Sequence, residues 1–203
     1  ARTYLPIGCY EPAVEGKEAG CKMNITVNLA KGVELALNDG RDPLSGEQAG
    51  PRTGDPRDFR TFEQLWNAFA SQTSHFLENA LRCIAAGERA WPRINPSPLI
   101  AGTFPPCLAS GEDIGEGGPL YNGVGFVGAG LANAADSLLA VKKAVFEEGR
   151  YTMAELLDAL AADFRDREPM RLYLRRRVPK WGNNQREADA MAGRVADFYR
   201  SEE

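Results

Sequence analysis

The chain has 203 residues, of which 43% are hydrophobic and 26% are charged, as expected for a globular protein with a substantial core. Its 24 basic and 28 acidic residues leave a formal charge of -4, so no strong field would hold nucleic acid or an anionic membrane. No apolar run approaches the roughly 20 residues that cross a bilayer, and the first residues lack the order of a signal peptide. These features argue against whole-chain disorder and predict a cytoplasmic protein without nucleic-acid or membrane partners.

The first part of the chain predicts one strand and one helix. The apolar residues at positions 4–7 predict a short buried strand that leads into a loop carrying Cys9. Asn28 is a suitable N-cap for a short apolar helix, and Gly40 is a suitable end for it. Residues 41–58 are rich in glycine, proline and aspartate and therefore predict a polar loop.

The clearest helix is predicted over residues 62–86, where apolar side chains recur at helical spacing. Thr61 and Gln64 have the spacing of a capping box at its start. Gly87 is a natural terminator, so the helix is predicted to end there.

The second half of the chain predicts mixed structure with a glycine-rich centre. Prolines after the long helix disfavour more helix, so residues 99–103 predict a short buried strand and residues 105–118 a loop. Residues 117–130 contain too many glycines for a helix and predict strand or loop backbone packed closely against something. Further helices are predicted over residues 136–148, 153–164 and 187–199. Short strands alternating with long helices indicate the α/β class.

One loop combines two chemically useful groups. Cys9 and Glu11 lie two residues apart, between Gly8 and Pro12. Alternate residues of an extended segment share a face, so a thiol and a carboxylate there could act on neighbouring atoms of one substrate. The alternative from these residues alone is a buried cysteine beside a surface glutamate.

Residues 123–128 match the Gly-x-Gly-x-x-Gly string of dinucleotide-binding proteins. The string alone is a weak signal, because residues 119–122 form a poor preceding strand and helix-forming residues arrive late, at Asp136. An oxidoreductase that binds NAD or FAD here remains an alternative function.

Other candidate groups have simpler structural explanations. His75 lies near Ser71 and Ser74, but no Gly-x-Ser-x-Gly sequence occurs, so a packed helix histidine is the better interpretation.

Without a Cys-x-x-Cys pair, the cysteines predict neither a zinc site nor a disulfide framework. Cys21, Cys83 and Cys107 are interpreted as inert packing residues.

A run of basic residues near the end of the chain could bind phosphates, although such runs more commonly form a solvated face or a subunit contact. The run consists of Arg171, Arg175, Arg176, Arg177 and Lys180.

Several motifs together resemble one enzyme family. Residues 1–12, which include Gly-Cys-Tyr-Glu-Pro, resemble the cysteine loop of glycyl radical enzymes, where Gly-Cys-x-Glu-Pro is typical of the dehydratase branch. Further similar segments follow in family order at residues 28–40, 53–56, 61–65, 98–99, 117–122, 128–138, 142–143, 178–184 and 188–190. The chain is thus identified as a member of the glycyl radical family of pyruvate formate-lyase, also called formate C-acetyltransferase, and glycerol dehydratase.

The resemblance implies a ten-stranded β/α barrel of two half-barrels, with long surrounding helices. Residues 1–203 would be an internal fragment of one pyruvate formate-lyase-like domain, with the cysteine finger loop at residues 1–20. The family's radical-bearing Arg-Val-Ser/Ala-Gly-Tyr string is absent, because Arg177-Val178 precedes Pro179 and Arg194-Val195 precedes Ala196. The Gly-x-Gly-x-x-Gly string would then be barrel strand and turn.

The resemblance also implies a reaction and its partners. Cys9 would become a thiyl radical that abstracts hydrogen from a small polar substrate, and Glu11 would be the base that assists elimination. A buried carboxylate with a raised pKa would suit that task. The glycyl radical would lie outside this segment, installed by an S-adenosylmethionine iron-sulfur activating enzyme, in an anaerobic homodimeric enzyme. The alternative is a truncated, non-catalytic scaffold or subunit-contact piece.

One residue departs from the family's founding member. Pyruvate formate-lyase has two adjacent cysteines in this loop, whereas Cys9 is followed by Tyr10. This difference argues against acyl transfer to coenzyme A and in favour of a dehydratase or a C–N or C–C lyase. Tyr10 also replaces a small apolar residue, so the substrate and the leaving group are left unassigned.

Overall fold

The computed structural model describes residues 3–8, 11–20 and 24–202. The described strands form two separate two-stranded sheets, one of β1 with β2 and one of β3 with β4. Their bounds are β1 Tyr4–Ile7, β2 Glu11–Val14, β3 Asn24–Asn28 and β4 Gly125–Ala129. The predicted α/β class is confirmed, since the described residues combine these short strands with many helices.

Helices make up most of the described chain. The α-helices are α1 Leu29–Ala36, α2 Phe62–Ile94, α3 Pro98–Ala101, α4 Pro105–Ser110, α5 Leu131–Val141, α6 Met153–Ala161, α7 Glu168–Arg176 and α8 Arg186–Glu202. A short 3₁₀ turn covers Pro56–Asp58, and a π-helical turn over Lys142–Glu147 continues α5. In the described part of the chain, no helix has both the length and the apolar character that crossing a membrane requires.

The chain divides into two compact units. The first unit consists of Ala1–Thr26 and Glu78–Val127, and the second of Val27–Leu77 and Gly128–Glu203. The first unit contains the β1–β2 hairpin and the short helices α3 and α4. Its described surface exposes many large apolar side chains, namely Tyr4, Leu5, Ile7, Leu81, Trp91, Ile94, Leu99, Ile100, Leu108, Leu120 and Tyr121.

The second unit contains a continuous hydrophobic core. Helix α5 contacts both α1 and α8, and its Leu138 and Leu139 are at most 1% exposed. Trp66, Phe69 and Phe198 form an aromatic cluster with ring centroids 5.5–5.9 Å apart. The Trp66–Phe198 pair is edge-on and the other two pairs are tilted, and such offset ring contacts stabilise the core beyond the burial of apolar area alone.

The edge of this core is covered by a charged side chain. The Arg194 guanidinium lies 3.8 Å from the centre of the Trp66 ring and also pairs with Glu63 at 2.6 Å. The hydrogen bond from Arg194 lowers the pKa of the Glu63 carboxyl. Because the pair is partly solvent-exposed, we expect it to contribute no more than about 1 kcal/mol.

The predicted starts of α1 and α2 are confirmed in detail. Asn28 Oδ1 accepts a hydrogen bond from the Lys31 backbone N–H at 3.3 Å, as an N-cap should. Gln64 Oε1 accepts from the backbone N–H of Thr61 at 3.1 Å, which is the returning half of a capping box. Gly40 follows α1 with φ 75° and donates its N–H to the Leu35 carbonyl, so it closes the helix end as predicted.

Several predicted boundaries were wrong. Helix α2 continues past Gly87 to Ile94 and includes Pro92. A glycine inside a helix costs only about 1 kcal/mol and a proline about 3 kcal/mol, and neither cost ends this 33-residue helix. Residues 99–103 do not form a buried strand, since most of them lie in α3 or just after it, with Leu99 90% exposed. Residues 105–118 begin with helix α4.

The two segments that form helices α3 and α4 were misassigned for the same physical reason. Pro98 and Pro105 occupy the first turn of α3 and of α4, where a missing N–H is tolerated and a fixed φ favours the helix.

Helix α5 begins at Leu131, five residues before the predicted start at Asp136, and α7 was not predicted at all. Strand β1 is present, but its side chains are exposed rather than buried.

Replacement of Leu138 by alanine tests the core of the second unit. Because Leu138 is fully buried, we expect Leu138→Ala to lower the free energy of unfolding by about 2–5 kcal/mol. Leu44→Ala is the matched control, since Leu44 is 94% exposed and should change stability by about 0.5 kcal/mol or less. Urea denaturation followed by circular dichroism measures both, and equal losses would contradict this core assignment.

Candidate active site at the hairpin connection

The candidate catalytic residues occur where the antiparallel strands β1 and β2 are joined: Cys9 is between the strands in sequence, and Glu11 is the first residue of β2. Strands β1 and β2 pair in the register Tyr4↔Val14, Leu5↔Ala13, Pro6↔Pro12 and Ile7↔Glu11. The Glu15 N–H donates to the Thr3 carbonyl at 2.8 Å and extends the ladder at the open end. Three residues, numbers 8–10, therefore connect the paired Ile7 and Glu11.

The structure describes Glu11 but not the other candidate catalytic residue, Cys9. Cys9 and Tyr10 lie outside the described residues, as does Cys21. Glu11 begins β2 and is half-buried, so its surroundings are less apolar than those of a fully buried carboxylate. The catalytic roles of Cys9 and Glu11 consequently stay predictions.

The Glu11 carboxylate folds back over the start of the connection. Gly8 has φ 59°, and a Cβ added there would overlap Oε2 of Glu11 and would lie 3.1 Å from its Cδ. The carboxylate thus occupies the space directly above the Gly8 α-carbon. Because Gly8 is bonded to Cys9, the acidic group lies beside the residue that precedes the candidate thiol.

Contacts within the first unit restrain one face of the hairpin. Ala13 is 5% exposed and is the buried side chain of β2. Gly20 lies so close to Ile7 that an added Cβ would be 2.8 Å from Ile7 Cδ1. Ile7 is the residue paired with Glu11, so packing at Gly20 also restrains the strand end next to the site.

The open end of the hairpin is fixed by a turn and a bridge. Glu18 Oε2 accepts a hydrogen bond from the Val14 N–H at 3.1 Å, and Lys17 N–H donates to the Val14 carbonyl at 3.0 Å. The Tyr121 N–H in turn donates to the Lys17 carbonyl at 3.0 Å. These bonds attach the hairpin to the segment that contains Tyr121, within the same unit.

The glycine-rich stretch has a packing explanation. Gly128, in β4, approaches Tyr199 and Leu29 so closely that an added Cβ would lie 3.2 Å and 3.4 Å from their side chains. Gly130 has φ 79° and ends the strand just before α5 begins. The prediction of a backbone packed closely against its neighbours is confirmed at Gly128.

The other candidates are engaged in structural contacts. His75 is half-buried in α2, edge-on to Phe76 with ring centroids 5.6 Å apart. Arg171 makes a bidentate ion pair with Glu168, with both distances 2.6 Å. Lys180 Nζ donates to the Leu174 carbonyl at 2.9 Å, and burial lowers the pKa of Lys180.

The sequence did not predict a groove in the second unit. Its cavity volume is about 670 Å³. Helices α1, α5, α6 and α7 form its walls, with side chains that include Val33, Leu156, Leu160, Phe164 and Leu174. Arg171, Arg175 and Lys180 also line it. No single motif could indicate this groove, because it is built from side chains far apart in the sequence.

The remaining cysteines form no recognisable site. Cys107 is buried and Cys83 is exposed, and both are free thiols. Across residues 3–8, 11–20 and 24–202, no group of histidine, cysteine and acidic side chains is arranged to hold a metal ion. The inert interpretation of Cys107 agrees with its burial beside Gly118.

Comparisons with known proteins agree with the family resemblance of the sequence. The trans-4-hydroxy-L-proline dehydratase of Clostridioides difficile is 34% identical over 96% of this chain and 25% of its own length. An isethionate sulfite-lyase of Desulfovibrio desulfuricans is 34% identical over 97% of this chain and 24% of its own length. The glycerol-bound B12-independent glycerol dehydratase of Clostridium butyricum has a solved structure that matches 99% of this chain with a TM-score of 0.93 and 34% identity, over 25% of that protein.

The chain therefore spans about a quarter of the length of the proteins it matches. The family described as pyruvate formate lyase-like matches residues 1–202, which is almost the whole chain. The relatives named above are dehydratases and a lyase. The chain belongs to the pyruvate formate lyase-like family and is a fragment by comparison with its relatives.

Proposed function

We propose that this chain is the cysteine-loop segment of a glycyl radical dehydratase or lyase that acts on a small polar substrate. One observation carries the proposal: the Gly-Cys-Tyr-Glu-Pro connection lies at the end of a hairpin in a chain whose relatives are dehydratases and lyases. The proposal concerns the complete protein, because the chain spans only a quarter of those relatives. Its barrel would have the ten strands that the family resemblance implies.

Cys9 is the proposed hydrogen-abstracting residue. The glycyl radical, held on a residue outside this chain, generates the thiyl radical by taking the hydrogen atom of the Cys9 thiol. The Cys9 sulfur then takes a hydrogen atom from a substrate carbon, so that an S–H bond forms, a C–H bond breaks and the unpaired electron remains on the substrate. The thiol returns that hydrogen atom to the product radical at the end of the cycle.

Glu11 is the proposed base for the elimination step. Its carboxylate takes the proton of a hydroxyl on the radical carbon, and the resulting negative charge expels a leaving group, with its bonding electron pair, from the neighbouring carbon. The proton held by Glu11 then passes to the departing group, as it would to form water. The hairpin supports separate roles for Cys9 in hydrogen abstraction and Glu11 in proton transfer, because the Glu11 carboxylate lies next to Gly8, the residue before Cys9.

The proposed partners follow from this chemistry. The complete enzyme would require an activating enzyme with an iron-sulfur cluster and S-adenosylmethionine, and it would assemble as a homodimer. The absence of a second cysteine at Tyr10 favours elimination over acyl transfer. The identity of the leaving group is set by pocket residues outside this chain.

Replacement of Cys9 tests the radical step. In the complete enzyme, Cys9→Ala and Cys9→Ser should abolish turnover while the glycyl radical still forms, because the radical is stored on a different residue. Turnover is measured by product formation and the radical by EPR spectroscopy. Cys83→Ala serves as the control, since Cys83 is an exposed free thiol and its loss should leave turnover unchanged. Turnover retained by either Cys9 variant would refute the assignment.

Replacement of Glu11 tests the base. Glu11→Gln keeps the shape of the side chain but removes its proton acceptor, so kcat should fall about 10²–10⁴-fold with little change in KM or radical content. Glu15→Gln is the control, because Glu15 is an exposed carboxylate four residues away on the same hairpin. Equal kcat values for the two variants would show that Glu11 is not the base.

A further inference from the structure

Two separate observations require a glycine at position 8, its backbone conformation and the side chain that fills the space above its α-carbon. Gly8 has φ 59°, a conformation that L-residues with a side chain adopt rarely. Independently, the space that a Cβ would occupy is filled by the Glu11 carboxylate: Cδ would lie 3.1 Å and Oε1 3.4 Å from it, and Oε2 would overlap it. Gly8 therefore meets two requirements, one from the backbone and one from the carboxylate.

The neighbour that fills this space decides what a substitution would do. A carboxylate is the far end of a flexible side chain, whereas Ile7 and Glu11 are held by the strand pairing. An added methyl group would therefore displace the carboxylate first, because rotating the Glu11 side chain costs far less than breaking the ladder. The position of the carboxylate is thus coupled to the absence of a side chain at Gly8.

We propose that Gly8 is a positioning residue for the Glu11 carboxylate, which it admits over the start of the connection that carries Cys9. The inference rests on the proposed role of Glu11 as the base. Proton transfer requires a carboxylate within hydrogen-bond reach of the substrate hydroxyl, so a displacement of about 1 Å lowers the rate without removing the carboxylate. Gly8 acts through Glu11 and contacts no substrate itself.

The hairpin supplies a matched control for backbone strain. Gly16 has φ 66°, close to that of Gly8, and lies just after β2 in the same unit. Among the described residues, a Cβ at Gly16 would meet only Pro105 Cδ, at 3.8 Å, which is an ordinary contact. Gly16→Ala therefore imposes the same kind of backbone strain as Gly8→Ala without a collision with a carboxylate.

The experiment compares three variants in the complete, activated enzyme: Gly8→Ala, Gly8→Asn and Gly16→Ala. Asparagine adopts positive φ more readily than alanine but still has a Cβ, so it separates strain from collision. We expect both Gly8 variants to lose at least tenfold in kcat, with KM and EPR radical content within about twofold of the parent. Gly16→Ala should keep kcat within about twofold, and the thermal unfolding midpoints of both alanine variants should be similar.

Four outcomes would overturn the inference. The first is a kcat for Gly8→Ala equal to that of Gly16→Ala. The second is recovery of kcat in Gly8→Asn, which would assign the effect to backbone strain. The third is unfolding of Gly8→Ala while Gly16→Ala stays folded, since the carboxylate should yield before the backbone. The fourth is a KM increase at unchanged kcat, which would indicate substrate binding instead.

The Glu11→Gln result separates this inference from the proposed function. If Glu11→Gln loses activity while Gly8→Ala behaves as Gly16→Ala does, Glu11 remains the base and only the positioning role of Gly8 is wrong. If Glu11→Gln retains activity, the proposed function of Glu11 is wrong, and a loss in Gly8→Ala would then have a cause other than Glu11.

Discussion

The antiparallel pairing of Ile7 with Glu11 is the constraint on which the candidate site depends. A strand pair fixes the separation and direction of its two chains, so the short connection between them has few conformations available. Glu11 is the first residue of β2, and the pairing determines where its side chain begins. Without this pairing, the Glu11 carboxylate would have no defined position relative to Gly8.

The hairpin is held by backbone hydrogen bonds more than by burial. Tyr4, Leu5 and Ile7 are all exposed, so β1 gains little from the hydrophobic effect in this chain. The bonds at Val14, together with the one from Tyr121 to Lys17, supply the attachment instead. An isolated two-stranded hairpin is only marginally stable in water. A hairpin of this size therefore needs further contacts for full stability.

The local sequence predicted helix starts better than helix ends. Asn28 and Gln64 were identified correctly because a cap depends on side chains within three residues of it. The end of α2 was misplaced because Gly87 and Pro92 only weaken a helix, and no residue before Ile94 stops it. Leu99 was assigned to a buried strand because its apolar side chain was assumed to be covered, whereas it is 90% exposed. Tertiary burial is not visible in a local pattern.

The sequence predicted candidate residues for the site, but not its geometry. The spacing of Cys9 and Glu11 left a structural alternative open, and their proposed roles came from the resemblance of the surrounding motifs to the family. A glycine before a cysteine in a turn requires no further explanation from the sequence alone. Only coordinates show that the Glu11 carboxylate occupies the place of the missing Gly8 side chain. Gly8 thus links the turn to the proposed chemistry, because its lack of a side chain both permits φ 59° and leaves room for the Glu11 carboxylate.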